Sequence, residues 1–413
     1  MDLSKLLSPA SKEIPPHVPA ELVRSPYPMS LGMITQENPF ETVIPKMQAE
    51  YPPVFYARDG YPGGSAVWVL LRRADQQAVY MDTEHFSSKD FAPFAKLLGE
   101  NWSQIPAETD PPMHQLYRNI MNPLFAPKKM AELEDHVRQF AKDAIDQFKH
   151  KGECDFMKDL AFQFPIQVFL ELMGLPLDEL DKFMAWEMKL THPKSIEEMA
   201  EGTRLVKNFL IETIEDRRRN PTGDFISYVV QSEVQGRKLT DDEMVGFCFN
   251  LFIGGLDTVS THMGLQFRHL AEHPEHQNFL RANPDQIPAA LEEFMRAYGA
   301  VTTYRTCIKP VTVGGVQIMP GDKVSMVTSL AGRDPQSWDH PNEVKLDRNP
   351  RHTTFATGPH RCVGAPLARR ELIFAMEEFL KAIPEFRIKP GATITTSIGP
   401  IIQPLSLPLV WKV

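Results

Sequence analysis

Cysteine is scarce in this chain. Only four occur in 413 residues (Cys154, Cys248, Cys307 and Cys362), and no two form a C-x-x-C pair. That excludes a disulfide framework, offers no zinc or iron–sulfur spacing, and fits a reducing cytoplasm. Long apolar runs are also missing. No stretch approaches the ~20 residues a bilayer span requires, and the opening Met1-Asp-Leu-Ser-Lys-Leu-Leu-Ser-Pro9 has no signal-peptide core. Positive charge is in deficit: 44 Lys and Arg against 53 Asp and Glu leave a net charge of −9, which argues against nucleic-acid binding. Internal repeats and low-complexity segments are absent. The expectation is an ordinary globular protein of the cytoplasm with no membrane span.

Proline, by contrast, is abundant, with 36 residues clustered at segment ends, as in Ile14-Pro-Pro-His-Val-Pro19. Residues 1–37 read as an extended lead-in. A short helix follows near 40–50, and Val54–Ala57 and Ala66–Leu71 read as strands separated by Gly60, Gly63 and Gly64. Residues 73–81 look helical. The segment 86–105 has no clean period and is rich in Phe91, Phe94, Leu97, Leu98 and Trp102, as expected for a loop over a ligand pocket. Asp110-Pro-Pro-Met-His114 opens a helix with both prolines in its first turn, and His114 and Arg118 share a face at i,i+4. Helical periods then dominate from Met130 to Arg219, broken at Thr191-His-Pro-Lys194. Val311–Ile318 reads as a hairpin around Gly314-Gly315.

Two stretches depart from ordinary packing rules. Thr240-Asp-Asp-Glu243 is a capping box, and the helical period behind it runs to about His273, where Pro274 stops it. Such a helix, ~50 Å long at 1.5 Å per residue, crosses a whole molecule. Its middle, Ile253-Gly-Gly-Leu-Asp-Thr258, carries two glycines, each costing up to ~1 kcal/mol relative to Ala, and a carboxylate that is expensive to bury. Something has to approach this backbone closely. The second stretch is Phe355-Ala-Thr-Gly358-Pro-His360-Arg-Cys362-Val-Gly364-Ala-Pro366-Leu-Ala-Arg-Arg-Glu371. Gly358 and Gly364 bracket Cys362 and permit tight turns and the approach of a flat ligand. Pro366 suits a first helical turn, so Cys362 sits just before a helix N-terminus, where free N–H groups favour a thiolate. Such a thiolate is either a metal ligand or a nucleophile.

The pattern Phe-x-x-Gly-x-His-x-Cys-x-Gly-x-x-Leu-Ala-x-x-Glu resembles the haem-thiolate signature of the cytochrome P450 monooxygenases, with His360 where Arg is usual. The resemblance extends through most of the chain. It is strongest to the soluble, camphor-hydroxylating branch in Gly254–Val259, Leu367–Glu371, Ile383–Phe386 and Leu407–Trp411. It implies one mainly α-helical haem-thiolate domain over residues 1–413. A small β portion comes from about 50–72, 300–328 and the C-terminal hairpin.

The resemblance also implies roles. Cys362 is the axial ligand of haem b iron, with Phe355, His360 and Gly364 around it. His114, Arg118 and Arg305 hold the propionates. Asp257 and Thr258 match the acid and first alcohol of the family's Ala-Gly-x-Asp/Glu-Thr-Thr motif and deliver protons to dioxygen; Gly254 replaces its Ala and Val259 its second Thr. Glu293 and Arg296 form the structural Glu-x-x-Arg pair. The substrate wall comprises Phe91, Phe94, Leu98, Trp102, Asn250, Ile253, Gly254, Val301, Thr302 and Ile401, with Trp102 and Asn250 as hydrogen-bond donors. The implied reaction is hydroxylation of a small apolar, terpenoid-like or aromatic molecule by O2. Electrons come from a separate [2Fe-2S] ferredoxin and its reductase, docking on Arg72, Arg73, Lys128, Lys129 and Arg361. The alternatives are a peroxide-using haem-thiolate enzyme, which would not need the Asp257–Thr258 pair, and a non-enzymatic haem sensor or ligand carrier.

Overall fold

The computed structural model describes residues 13–413 except Leu31, Pro62, Gly63, Gly64 and Lys194. The first twelve residues of the expected lead-in, two glycines of the expected strand turn, and Lys194 of the expected helix break therefore lie outside the described residues. Helices dominate. A six-stranded sheet forms from Val23–Arg24, Val54–Tyr61, Ser65–Leu70, Lys323–Val327, Thr302–Cys307 and Phe86–Ser87, in that spatial order. Val54–Tyr61 and Ser65–Leu70 pair antiparallel, and Lys323–Val327 then joins Ser65–Leu70 in parallel, so strands ~250 residues apart in sequence share one sheet. The expected β regions are these strands, completed by the terminal hairpin Thr396–Ile398 and Gln403–Pro404.

The long helix runs from Asp241 to Glu272, and its capping box forms as expected: Thr240 accepts the Glu243 N–H while Glu243 accepts the Thr240 N–H. Contrary to the expectation from apolar runs, its length and composition would allow it to cross a membrane, but 72% of that window is buried inside the fold. It is a core helix. Burial along it is continuous from Glu243 to Phe249 and from Val259 to Ala271, and is interrupted at Asn250, Ile253–Gly255 and Thr258. Those positions recur at three and four residues, so one side of the helix faces a cavity in the middle of the molecule.

Helices Pro127–Asp146, Gln163–Met173, Leu180–Thr191 and Ile196–Arg219 match the expected helical stretch, and Arg73–Met81 and Val43–Glu50 match the two shorter ones. The helix carrying His114 begins at Met113, with Pro112 at its N-cap. The prolines thus precede the first turn rather than occupying it.

Glu293 and Arg296, both fully buried on helix Ile287–Ala297, form a two-pronged ion pair at 2.7 Å. Arg296 also donates to the carbonyls of Gly332, Pro341 and Glu343 at 2.7–2.8 Å, so it ties down the segment leading to the cysteine loop. Arg296→Ala leaves the Glu293 carboxylate buried with Arg348 at 3.0 Å as its remaining cation. Breaking a buried pair costs ~3–5 kcal/mol, and Arg348 places the expected loss near the lower end. Denaturant unfolding checks the value.

Candidate functional site

Cys362 lies in a loop closed by the Cys362 N–H on the Phe355 carbonyl (2.9 Å) and the Arg361 N–H on the Gly358 carbonyl (3.1 Å). Gly358 has φ +73°, and a Cβ there would meet the Tyr80 carbonyl at 2.6 Å, so its glycine is required. Gly364 has an ordinary φ of −76°, and a Cβ on it would touch the Cys362 sulfur at a comfortable 3.9 Å. The turn therefore does not demand glycine at 364. Ala356 holds φ +55°, a strained conformation for a side chain. The loop leads into helix Ala365–Ala382. The Cys362 sulfur is exposed to the cavity yet ringed by protein on its other sides. Burial raises its pKa, while the Gly364 and Ala365 N–H groups and the Arg118 and Arg361 guanidinium groups counter the rise. The helix N-terminus acts in the expected direction but does not by itself make a thiolate. Coordination to a metal ion would.

Around this loop gather two imidazoles and two guanidinium groups. The His114 and His360 rings lie 4.0 Å apart. Both ring nitrogens of His114 are buried without a partner among the described residues. Burial, then Arg118 and Arg305, holds His114 down at about 4. Burial, then Arg305, His114 and Arg118, holds His360 down at about 2. Both imidazoles are neutral at pH 7 and each offers one N–H. Arg305, on strand Thr302–Cys307, is buried, and its hydrogen bond runs to the neighbouring Tyr304 carbonyl. Arg118 donates to the Arg361 carbonyl at 2.9 Å. His360 Nε2 meets the Ser88 hydroxyl at 3.2 Å, so His114 is the imidazole left without a partner. A buried Arg305, a half-buried Arg118 and an unpartnered His114 call for anions.

Across the cavity, the long helix presents Asn250, Ile253, Gly254 and Thr258. The two glycines have different reasons. A Cβ on Gly254 would meet nothing within 4 Å, so this position opens onto the cavity; one on Gly255 would strike the Phe169 ring at 2.8 Å. The Thr258 hydroxyl donates to the Gly254 carbonyl (3.2 Å). Asp257 turns away from Asn250, although seven residues should place them on one face. It is 3% exposed and accepts a hydrogen bond from Gln403, whose amide also donates to Thr261 at 2.8 Å.

A single sequence model, described as Cytochrome P450, matches residues 160–398, more than half of the chain. The chain is 38% identical over 402 residues to the probable cytochrome P450 127A1 of Sinorhizobium fredii, covering 96% of this chain and 97% of that protein. The chain belongs to the cytochrome P450 family. The mycinamicin IV hydroxylase/epoxidase of Micromonospora griseorubida is 30% identical, over 85% of this chain and 91% of that one. The crystal structure of CYP101J2 superposes with a TM-score of 0.86 at 31% identity, covering 97% of this chain and all of that one.

This P450 is thus a monooxygenase of mainly helical fold. Its family carries haem b through a cysteine thiolate, and that group supplies a reducible iron at which dioxygen is activated. The residues present fit a flat apolar group with two carboxylates. Cys362 would hold the iron; His114, Arg118, Arg305 and His360 would take the carboxylates. The open face at Gly254 would cover the plane. Phe355 is fixed beneath the Arg369 guanidinium at 4.6 Å, and Arg369 in turn pairs with Glu292 at 2.6 Å.

Several of the residues expected to wall a substrate pocket lie together. Val301 bridges to Ile401, and the Thr302 N–H donates to the Pro400 carbonyl (2.7 Å), so these walls meet. Phe94 packs on Phe249, and Phe91 and Leu98 are half-buried in the same loop. Glu108 pins that loop by accepting the Ala92 and Gln104 N–H groups, each at 2.9 Å. Trp102 is a correction. Its N–H donates to Glu100 at 2.6 Å, its ring packs on Phe249 at 4.8 Å, and it is 5% exposed. Glu100 is itself paired with Lys207 on helix Ile196–Arg219. The Trp102 donor is spent on fastening this loop to the helix above it. Asn250 keeps its amide: it is half-buried, and no described residue hydrogen-bonds it.

Two further expectations change at the surface. Arg72 pairs with Asp334 at 3.0 Å, and Arg73 donates to the Arg351 carbonyl (2.7 Å) and lies over Trp338. Neither is free for a partner, whereas Lys128 and Arg361 are exposed, and Lys129 makes an exposed pair with Glu132. Sequence reasoning missed Gln403, and it missed Glu187 and His192, which stand beside Asp257. Gln403 follows the hairpin tip by two residues, and nothing local connects it to position 257.

Proposed function

We propose that this P450 hydroxylates a small apolar substrate bearing at least one oxygen, held between Asn250 and the wall of Phe91, Phe94, Leu98, Ile253, Val301, Thr302 and Ile401. The observation that carries this reading is the free amide of Asn250 one helical turn from the open face at Gly254. With Trp102 committed to Glu100, Asn250 is the remaining donor of the two expected. A satisfied hydrogen bond contributes ~0.5–1.5 kcal/mol, and an unpaired buried amide costs ~1–3 kcal/mol. An oxygen on the substrate, or a water held between them, therefore sets its orientation.

Asn250→Leu tests this. The spin-state shift of the ferric haem titrates substrate binding. An oxygenated substrate is expected to bind about threefold to tenfold more weakly and to give a wider spread of hydroxylated products. Unchanged affinity with an unchanged product ratio would refute the role.

In this reading Asp257 and Thr258 handle protons, and the chain works in the cytoplasm with a separate [2Fe-2S] ferredoxin as donor. The supporting surface is Lys128, Lys129 and Arg361 on the cysteine side. Exposed charges steer encounter and are screened beyond ~8 Å at physiological salt. The association rate should fall as salt rises; a rate indifferent to ionic strength would rule out electrostatic docking.

A further inference from the structure

Glu187 and the turn residue His192, at the end of helix Leu180–Thr191, meet Asp257 on the long helix. One ligating atom from each lies within 4.8 Å of the others. We propose that Glu187, His192 and Asp257 form a binding site for a divalent cation of the zinc class, bridging this turn to the long helix.

Three observations support it. The first is the distance between His192 Nε2 and Asp257 Oδ1, 3.7 Å. That is too long for a hydrogen bond, which ends near 3.2 Å. It suits two ligands on one ion with ~2.0–2.1 Å bonds at an angle of about 130°. The second is that His192 Nε2 is a buried atom with no hydrogen-bond partner, and the groups around it are these two carboxylates and the Gln403 amide. The third is charge. Glu187 and Asp257 are both at least 95% buried, and no Lys or Arg among the described residues pairs with either. Two carboxylates with only an imidazole beside them lack positive charge, and a divalent cation supplies it.

The donor set selects the ion. One imidazole nitrogen with two carboxylates suits zinc, whereas magnesium and calcium take oxygen donors. An outer shell is in place: Thr191 Oγ1 donates to Glu187 at 2.6 Å and Gln403 donates to Asp257, which orients both carboxylates. An entry exists, since the His192 side chain is 16% exposed. Two ligands opposite each other on one ion span ~4.2 Å at most, so a bound ion would fasten the turn to the long helix. It would also occupy Asp257. Slower turnover follows from the proton role proposed for Asp257; binding does not depend on that role.

The test titrates Zn2+ alone into the haem-loaded enzyme against a chromophoric chelator. Wild type should take up one equivalent that His192→Gln does not, and Glu187→Gln should bind it about tenfold or more weakly. An intact ferrous carbon monoxide band certifies each variant's haem pocket, and if one variant fails to fold the other carries the test. His276→Gln, a histidine outside the cluster, should bind like wild type. No uptake by wild type, or equal uptake and affinity in both cluster variants, would overturn the site. Zn2+ bound at the site without slowing turnover would uphold the site and count against Asp257 as the proton carrier.

Discussion

Cys362→His is expected to retain haem and lose monooxygenation altogether. The loop around position 362 is held by its own backbone hydrogen bonds and by the Glu293–Arg296 pair behind it, none of which uses the sulfur. The pocket and its cationic rim therefore survive the change. What goes is the electron donation of a thiolate, which favours O–O cleavage and which a neutral imidazole does not match. The ferrous carbon monoxide spectrum reads this directly. The red-shifted band of a thiolate-bound haem should disappear in the variant, and its retention would refute Cys362 as the ligand.

The second large effect concerns the proton route. Thr258 lines the cavity face and Asp257 lies behind it, so their loss should differ in kind. Thr258→Ala removes a hydroxyl at the cavity but leaves the acid. Reductant should still be consumed, with most of it diverted to hydrogen peroxide. Asp257→Asn keeps the shape and an acceptor for Gln403 but removes a titrating group. Turnover should fall about 10²-fold, the lower end of what a positioned general acid contributes. Measuring reductant, peroxide and product together separates the two. If both variants show wild-type rate and coupling, protons travel elsewhere.

Access to Asp257 is restricted in this fold. Gln403 closes one side by bonding both Asp257 and Thr261, and the partly exposed His192 lies beside the carboxylate. Burial, the largest influence on His192, lowers its pKa, yet the Asp257 and Glu187 carboxylates outweigh it and the net shift is upward.

Sequence alone determined whatever depends on residues within a turn or two of each other. The Thr240–Glu243 capping box, the cysteine loop, the Glu293–Arg296 pair and the His114–Arg118 face are of this kind, because backbone geometry sets their spacing. Helix and strand positions followed for the same reason. Tertiary structure decided which groups meet across long separations in the chain. It spent the Trp102 N–H on Glu100 and tied Arg72 to Asp334. It also brought Gln403 and His192 to Asp257, and turned that acid away from Asn250 despite their helical spacing. A polar side chain shows in the sequence what it can donate or accept. Whether a neighbour has already taken it depends on packing between segments as much as ~260 residues apart, and no local pattern carries that information.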